Sequence, residues 1–351
     1  MSLIPATILT GFLGAGKTTL LKRILTEAHG QKIAVIENEF GEENIDSDIL
    51  VSDTSEQIIQ MSNGCICCTI REDLRVTLQD LAEKKRKGEL SFDRVVIETT
   101  GLADPGPVAQ TFFMDDEIAE SYLLDSILTL VDAKHAPTQL NDRQEARRQV
   151  GFADQIFISK SELVSKDALE ALQHRLKHMN PRAPQHTVHF GEVAIKDVFD
   201  LRGFNLNAKL DIDPDFLKAD DHDHDHAHHH HAEGEACDHP SHKHTHGHHH
   251  HTDDDVKSFV FKSDRPFDPA KLEDFLGAIV NIYGPRMLRY KGVLYMQGTD
   301  RKVIFQGVHQ LMGSDLGPAW RPEEHKSSKM VFIGIDLPKD ILLQGMEQAG
   351  V

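Results

Sequence analysis

The sequence predicts a doubly wound α/β domain built on a mostly parallel sheet, followed by a small α+β domain. Three observations carry this expectation. Short apolar runs rich in Val and Ile recur through the first half and alternate with segments of helical character, the pattern of a parallel sheet covered by helices. A glycine-rich turn, GFLGAGKT, stands between the first of those runs and the first helical segment. Beyond a long His/Asp tract, the last 95 residues read again as strands and helices.

The apolar runs lie at residues 6–10, 33–37, 94–99, 126–131 and 155–159. They are nearly continuous in hydrophobicity, as strands buried on both faces should be. Residues 17–28, 72–87 and 166–179 have helical spacing between them. From about Asn205 the pattern fades, and residues 211–255 hold no spaced apolar positions from which to build a core, so this stretch reads as a disordered linker. After it, VKSFVFKSD, MLRYKGVLYMQG, KVIFQGVHQLMG and KMVFIGID read as four strands, and DPAKLEDFLGAIV and PKDILLQGMEQAG as two helices. Their order suggests a sheet covered by helices on one face. The expected division is a domain at 1–205, a linker at 206–256 and a second domain at 257–351, in line with the usual one domain per roughly 100–200 residues.

The chain has 351 residues and a formal net charge of -18. Residues 220–255 carry ten Asp or Glu against one Lys, so this window holds -9 and the remainder another -9. That acidity argues against a nucleic-acid partner. No apolar run approaches the roughly 18–20 residues that span a bilayer, so no membrane partner is expected. The N-terminal run LIPATILTGFLGAG lacks a basic leader and reads as a buried strand. Three of the four cysteines fall within four residues, which suits metal or redox chemistry better than a disulfide framework and points to a reducing cytoplasm.

GFLGAGKT matches G-x-x-x-x-G-K-[ST] at every fixed position, after a strand and before a helix. In that context Gly11, Gly14, Ala15, Gly16 and Thr19 belong to a loop whose N–H groups cradle phosphates at a helix N-terminus. Lys17 is expected to reach the β and γ phosphates and Thr18 to ligate Mg²⁺. In VIETTGL, Glu98 ends an apolar strand three residues before Gly101; it is the candidate carboxylate near Mg²⁺ or the attacking water. FISKSELV places Ser159, Lys160 and Glu162 where a guanine-binding Asn-Lys-x-Asp would stand. A carboxylate selects guanine by accepting from its N1–H and its 2-amino group, and the Lys160 stem can lie over the base. Ser and Glu replace the Asn and Asp of that pattern, so GTP against ATP is left open here.

NGCICCTIRED sets Cys65, Cys67 and Cys68 side by side. Thiolates at that density bind borderline or soft cations, Zn²⁺ most commonly, and three sulfurs leave one tetrahedral position for an exchanging ligand. Cys65 and Cys68 alone form C-x-x-C, so a redox dithiol is the rival reading. Between His222 and His251 lie 15 of the 23 histidines. Imidazole titrates near about 6.5, so at neutral pH it coordinates metal without first losing many protons. Interleaved with Asp, the tract reads as an array of weak, exchanging metal sites, and Ni²⁺ and Cu²⁺ suit it at least as well as Zn²⁺.

ILTGFLGAGKTTLL differs at one position from the form LLTGFLGAGKTTLL of the CobW family of P-loop GTPases, which IAVIENEFGE, NGCICC, VIETTGLADP and LTLVDA also resemble. The resemblance runs from Ala6 to about Phe204 and resumes in the last 95 residues; within the family it points to the YjiA-like zinc-binding GTPases, with a His-rich insertion added. It implies a GTPase that handles Zn²⁺ or a related metal and passes it to client metalloproteins. Residues 11–18 would bind phosphates and Mg²⁺, Cys65, Cys67 and Cys68 the metal, and residues 159–162 guanine. Glu37 and Glu42 match acidic positions that join a metal site in relatives. The family includes cobalt- and nitrile-hydratase-related members, so Zn, Co and Ni remain open, as do a homo-oligomer and the identity of the client. The expectation is a cytoplasmic GTP-hydrolysing zinc metallochaperone; the alternative is a metal store or sensor with a vestigial nucleotide cycle.

Overall fold

β1 (Ile4–Gly11) is buried along almost its whole length, which a strand achieves only inside a sheet with helices on both sides. The computed structural model describes residues 3–26, 30–38, 58–61, 69–204 and 254–351. Around β1 assemble β2 (Ile33–Asn38), β3 (Ile58–Met61), β4 (Arg94–Glu98), β5 (Tyr122–Asp132), β6 (Gln155–Ser159) and β7 (Gln185–Val188). Their spatial order is β3-β2-β4-β1-β5-β6-β7, with every pairing parallel. The chain turns to one side of β1 for β2 to β4 and to the other for β5 to β7. The carboxyl ends of β1 and its neighbours therefore border the crevice where such sheets bind ligands.

The helices of this layer are α1 (Lys17–Thr26), α2 (Thr69–Arg86), α3 (Pro105–Met114), α4 (Asp116–Ser121), α5 (Ala136–Asp142), α6 (Gln144–Phe152) and α7 (Lys166–Met179). In α1, Leu20, Leu21, Ile24 and Leu25 are buried, a single stripe at helical spacing. The helical spacing in the sequence marks α1, α2 and α7, whereas α3 to α6 escape it. For α3 the signal was available: the Asp104 carboxylate accepts from Gly106 N at 2.9 Å and Pro105 fills the first helical position, an ordinary start pattern. The other omissions are β3 and β7, two four-residue edge strands. β7 buries one residue of its four, so no apolar run betrays it.

The second sheet comprises β8 (Val256–Ser263), β9 (Met287–Leu294), β10 (Arg301–Val308), β11 (Leu311–Ala319) and β12 (Ser328–Ile335), in the antiparallel order β11-β10-β9-β12-β8. Its helices are α8 (Pro269–Tyr283) and α9 (Lys339–Ala349). KVIFQGVHQLMG reads as one strand in the sequence but is a hairpin: Val308 pairs with Leu311, and His309 between them sits at φ 52. The apolar pattern continues through the turn, and no Asn-Gly or Asp-Gly marks it.

Each face of this sheet has its own occupant. Phe259, Phe261, Tyr290 and Phe332 pack with Leu272 and Leu276 of α8 and Met346 of α9. From the other face, Val256, Leu288, Val308, Val331, Ile333 and Ile335 join the core of the parallel-sheet layer, together with Val150 and Phe152 of α6. At about 1.5–3 kcal/mol per buried aliphatic side chain, these six supply on the order of 10 kcal/mol before ordering costs. An ionic knot sits beside them. Arg289 is buried and donates to Phe152 O (3.0 Å), Gly203 O (2.9 Å) and Asp154 Oδ2 (2.9 Å), with its guanidinium 3.7 Å from the Phe204 ring centre. Lys291 Nζ reaches Asp154 Oδ1 at 2.8 Å and Gly203 O at 2.7 Å. The sequence groups Asp254 and Asp255 with the His/Asp tract. In the structure Asp254 is held by Arg175 of α7 (2.6 Å) and Asp255 by Arg147 of α6 (2.5 Å).

Asp154→Ala leaves Arg289 buried without its counter-charge, and the expected cost is about 3–5 kcal/mol, read as a lowered urea midpoint; a change below 1 kcal/mol would show that Lys291 and the carbonyls suffice without it. A pH effect is expected at His309, which is buried with its ring 5.2 Å from that of Phe152. Burial holds its imidazole below the ordinary value of 6.5, with Asp104 pulling upward and Arg148 downward. As pH falls through about 6.5 the unfolded chain takes up a proton that the folded one resists. Stability therefore declines on acidification, by up to about 1.4 kcal/mol per pH unit, until the folded form also protonates. His309→Gln should flatten the loss measured between pH 7.5 and 5.5.

Candidate functional site

The turn that follows β1 is shaped by what it touches. Gly11 has φ 145, and a Cβ there would lie 2.3 Å from Leu130 O of β5, so no larger residue fits. Gly14 and Gly16 also take positive φ, 74 and 94. Five successive carbonyls of the loop are then held by side chains. Lys17 Nζ donates to Gly11 O (3.2 Å) and Phe12 O (3.3 Å). Gln139 Nε2 donates to Leu13 O at 3.2 Å, Lys160 Nζ to Gly14 O at 2.7 Å, and Ser159 Oγ to Ala15 O at 2.7 Å. Phe12 N donates to Leu130 O and Ala15 N to Phe12 O; with the carbonyls also engaged, the remaining N–H groups of the loop are what it offers an anion, and the N-terminus of α1 adds its dipole.

Lys17, Thr18 and Glu98 meet at this point. Thr18 Oγ1 donates to Glu98 Oε1 at 3.2 Å. Lys17 is buried, and burial lowers its ammonium from the ordinary value against the upward pull of Glu98. Thr19 is the next residue of α1. Gly101 lies directly against the loop, since a Cβ on it would be 2.5 Å from Cα of Leu13. Its carbonyl accepts from Gln149 Nε2 of α6 at 3.3 Å, as does that of Ala103 at 2.9 Å.

At the other end of the crevice, Ser159 closes β6 with its hydroxyl buried on Ala15 O, and Lys160 follows at φ 57. Lys160 Nζ also reaches Asp132 Oδ2 at 2.7 Å. Burial works against the Asp132 carboxylate, but Lys160 and the His135 bonds together hold it below its usual range. Asp132 was absent from the sequence-derived site; an acid ending the apolar strand run of LTLVDA was the available signal. Glu162 lies beside His189, Oε2 to Nδ1 at 3.3 Å.

The metal candidates are placed unevenly. Glu42, Cys65, Cys67 and Cys68 lie outside the described residues, as does the tract at 222–251. Glu37 is on β2, where its backbone pairs in register with Glu98. Met61, the last residue of β3, pairs with Asn38 and precedes Cys65 by four positions, a reach of at most about 14 Å. Among the described residues no group of three or more His, Cys, Asp or Glu forms a metal site, and no helix is long and apolar enough to cross a membrane.

Residues 5–187 match the model of the CobW/HypB/UreG nucleotide-binding domain. The chain belongs to the CobW/HypB/UreG family. Residues 256–350 match the cobalamin synthesis protein cobW C-terminal domain, so the two matches cover both sheets of this CobW-family chain except Ile4 and Val188 at the ends of the first. It is 40% identical over 340 residues to the zinc chaperone YjiA of Escherichia coli strain K12, covering 97% of this chain and 96% of that protein. It is 31% identical over 346 residues to the zinc-regulated GTPase metalloprotein activator 1 of Dictyostelium discoideum, covering 88% and 66%. The crystal structure of the Zn(II)-bound YjiA GTPase from E. coli superposes with a TM-score of 0.73 at 36% identity, over 100% of both chains. The P-loop NTPase fold and the family read from the sequence are thus both found.

Removing one of the carbonyl holders tests the loop's construction. Ser159→Ala strips Ala15 O of a buried donor and should cost about 1–2 kcal/mol of unfolding free energy, measured by denaturant titration. No measurable cost would mean that Ala15 O finds water instead.

Proposed function

We propose that this chain is a GTP-hydrolysing metallochaperone that binds Zn²⁺ through Cys65, Cys67 and Cys68 and passes it to client metalloproteins under the control of its nucleotide. The enzyme is a GTPase of the CobW/HypB/UreG family. The carrying observation is the register of β2 against β4: Glu37 stands beside Glu98, whose carboxylate accepts from Thr18. Glu42 follows Asn38, the last residue of β2, and the three cysteines lie between Met61, the last residue of β3, and Thr69, the first of α2; β2 and β3 run parallel to β1, so both end at the sheet edge from which the phosphate loop leaves. Zinc as cargo is supported by the relatives, which include a zinc chaperone and a zinc-regulated activator.

Lys17 carries positive charge to the β and γ phosphates. Its ammonium rests on two neutral carbonyls, and at that buried position an anionic oxygen is the stronger partner. The hydroxyl of Thr18 and the carboxylate of Glu98 are hard oxygen donors 3.2 Å apart, which fits Mg²⁺. When bound, that ion neutralises charge on the phosphate oxygens. Ser159 and Lys160 brace the loop while Glu162 accepts from the guanine edge. The His/Asp tract is a tethered metal reservoir whose C-terminal end is anchored to the first layer by Asp254 and Asp255.

The 15 histidines of the tract favour one second reading, a metal store or sensor. Calorimetric titration of Zn²⁺ into the full chain, with GDP or a non-hydrolysable GTP analogue, separates the two. One tight site is expected whose affinity differs about tenfold between nucleotides, a coupling of ordinary size. Replacing all three clustered cysteines by Ser should abolish it, Lys17→Ala should abolish its nucleotide response, and deleting 221–255 should remove only weak sites. Zinc affinity indifferent to nucleotide would favour the store.

A further inference from the structure

We infer that the second sheet takes part in GTP hydrolysis: His309, at the tip of its β10–β11 hairpin, is a positioning residue that acts through Asp104 and Gly106 to hold the turn at 100–103 against the phosphate loop. This rests on the reading that GTP is hydrolysed at that loop, and it gives a residue of the other layer a part in the reaction.

The turn is gripped from three sides. Ala103 N donates to Thr100 O at 3.1 Å, and Gly101 has the Leu13 backbone directly against it. From α6, Gln149 Nε2 donates to Gly101 O and Ala103 O, and Arg148 Nη1 to Asp104 Oδ2 at 2.5 Å. The third side is the start of α3. A Cβ on Gly106 would lie 2.5 Å from His309 Nε2, 2.9 Å from Phe152 Cζ and 3.1 Å from Asp104 Oδ1. An imidazole from the second sheet, a ring from α6 and the capping carboxylate thus converge on one residue. Asp104 divides its oxygens between Gly106 N and Arg148, and His309 stands over the first of these contacts. Displacing its ring frees Asp104 and, with it, the turn that borders Leu13.

His309 is itself held firmly. Its N–H donates to Met287 O at 3.0 Å, its carbonyl accepts from the Tyr290 hydroxyl at 3.2 Å, and its ring stands edge-on to Phe152 at 5.2 Å. The Tyr290 ring in turn crosses Gly307 so closely that a Cβ there would fall 2.0 Å from its Cζ. At φ 52 a turn is made most easily by Gly or Asn. The histidine adds a buried contact on α3 that the turn itself does not require.

Rate is the property that such a support would govern. Ground-state binding is carried by Lys17, Thr18 and the N–H groups of the loop itself, whereas hydrolysis needs the terminal phosphate and the attacking water in line. A misplacement of about 1 Å can cost about a hundredfold in rate. The turn begins two residues beyond Glu98, the end of β4, and lies against Leu13, so it borders that end of the site. Loosening it lowers kcat and spares KM.

Steady-state GTP hydrolysis by the full chain with Mg²⁺ tests this, each variant first being shown by circular dichroism to be folded at the assay temperature. His309→Ala should lower kcat about tenfold with KM for GTP unchanged. His309→Gln, which keeps a nitrogen near the position of Nε2, should recover most of that loss. Asp104→Asn keeps an oxygen to cap α3 but loses the charge facing Arg148, and should lower kcat in the same sense at constant KM; it carries the test if His309→Ala does not fold. Val308→Ala thins the same interface beside His309 while leaving the imidazole in place, and should retain wild-type kcat. Wild-type kcat in folded His309→Ala or Asp104→Asn, or a loss in Val308→Ala equal to theirs, would overturn the inference; hydrolysis abolished by Lys17→Ala would then leave the phosphate-loop reading intact. Undiminished hydrolysis in Lys17→Ala would overturn that reading and this inference with it.

Discussion

Every carbonyl from Gly11 to Ala15 is held by a side chain, and the functional end of the molecule depends on that. The donors come from four places: Lys17 within the loop, Gln139 from α5, Ser159 at the end of β6 and Lys160 just beyond it. A glycine-rich turn has little intrinsic preference for one curl. Its shape is imposed by neighbours that consume its acceptors, while Phe12 N and Ala15 N bond Leu130 O and Phe12 O and the other N–H groups are left for a ligand. Thus a segment of eight residues is built by contributions as distant as Ser159, and its precision is a tertiary property.

The same crevice is tied to the second sheet by a short route. Gly101 abuts the loop, Gln149 and Arg148 of α6 hold the carbonyls and Asp104 of the segment after it, and α6 packs its Val150 and Phe152 against the second sheet. Arg289 and Lys291 converge on Asp154, two residues past the end of α6. A hydrophobic face would slide; the buried charges fix its register, because a displaced Arg289 would lose its counter-charge in a dry environment. Burial of His309 beside Asp104 and Arg148 makes the same contact sensitive to acid.

Legibility in the sequence followed locality. The phosphate loop, Glu98 at its strand end and the cysteine cluster are contiguous motifs whose chemistry is contained in adjacent residues. α1, α2 and α7 are amphipathic and announce themselves, whereas α3 to α6 are six to ten residues long and too short for a clear stripe. The β10–β11 hairpin was hidden because His309 adopts a turn conformation that its residue type does not advertise. Asp132 escaped for another reason: what ties it to the phosphate loop is Lys160, which lies beyond the end of a different strand.

By itself the sequence determined which chemistry is present: a cradle for phosphate, three adjacent thiols, a reservoir of imidazoles, and the alternation of strands and helices that places ligands at one sheet edge. Those are properties of residue types and short spacings, set by covalent geometry and side-chain donors. Only the tertiary structure decided that Thr18 faces Glu98 with Glu37 in register beside it, that Ser159 spends its hydroxyl on the loop backbone, and that the second sheet lends one whole face to the first core. These depend on strand order and register, which bring together residues dozens to hundreds of positions apart and leave no periodic trace along the chain.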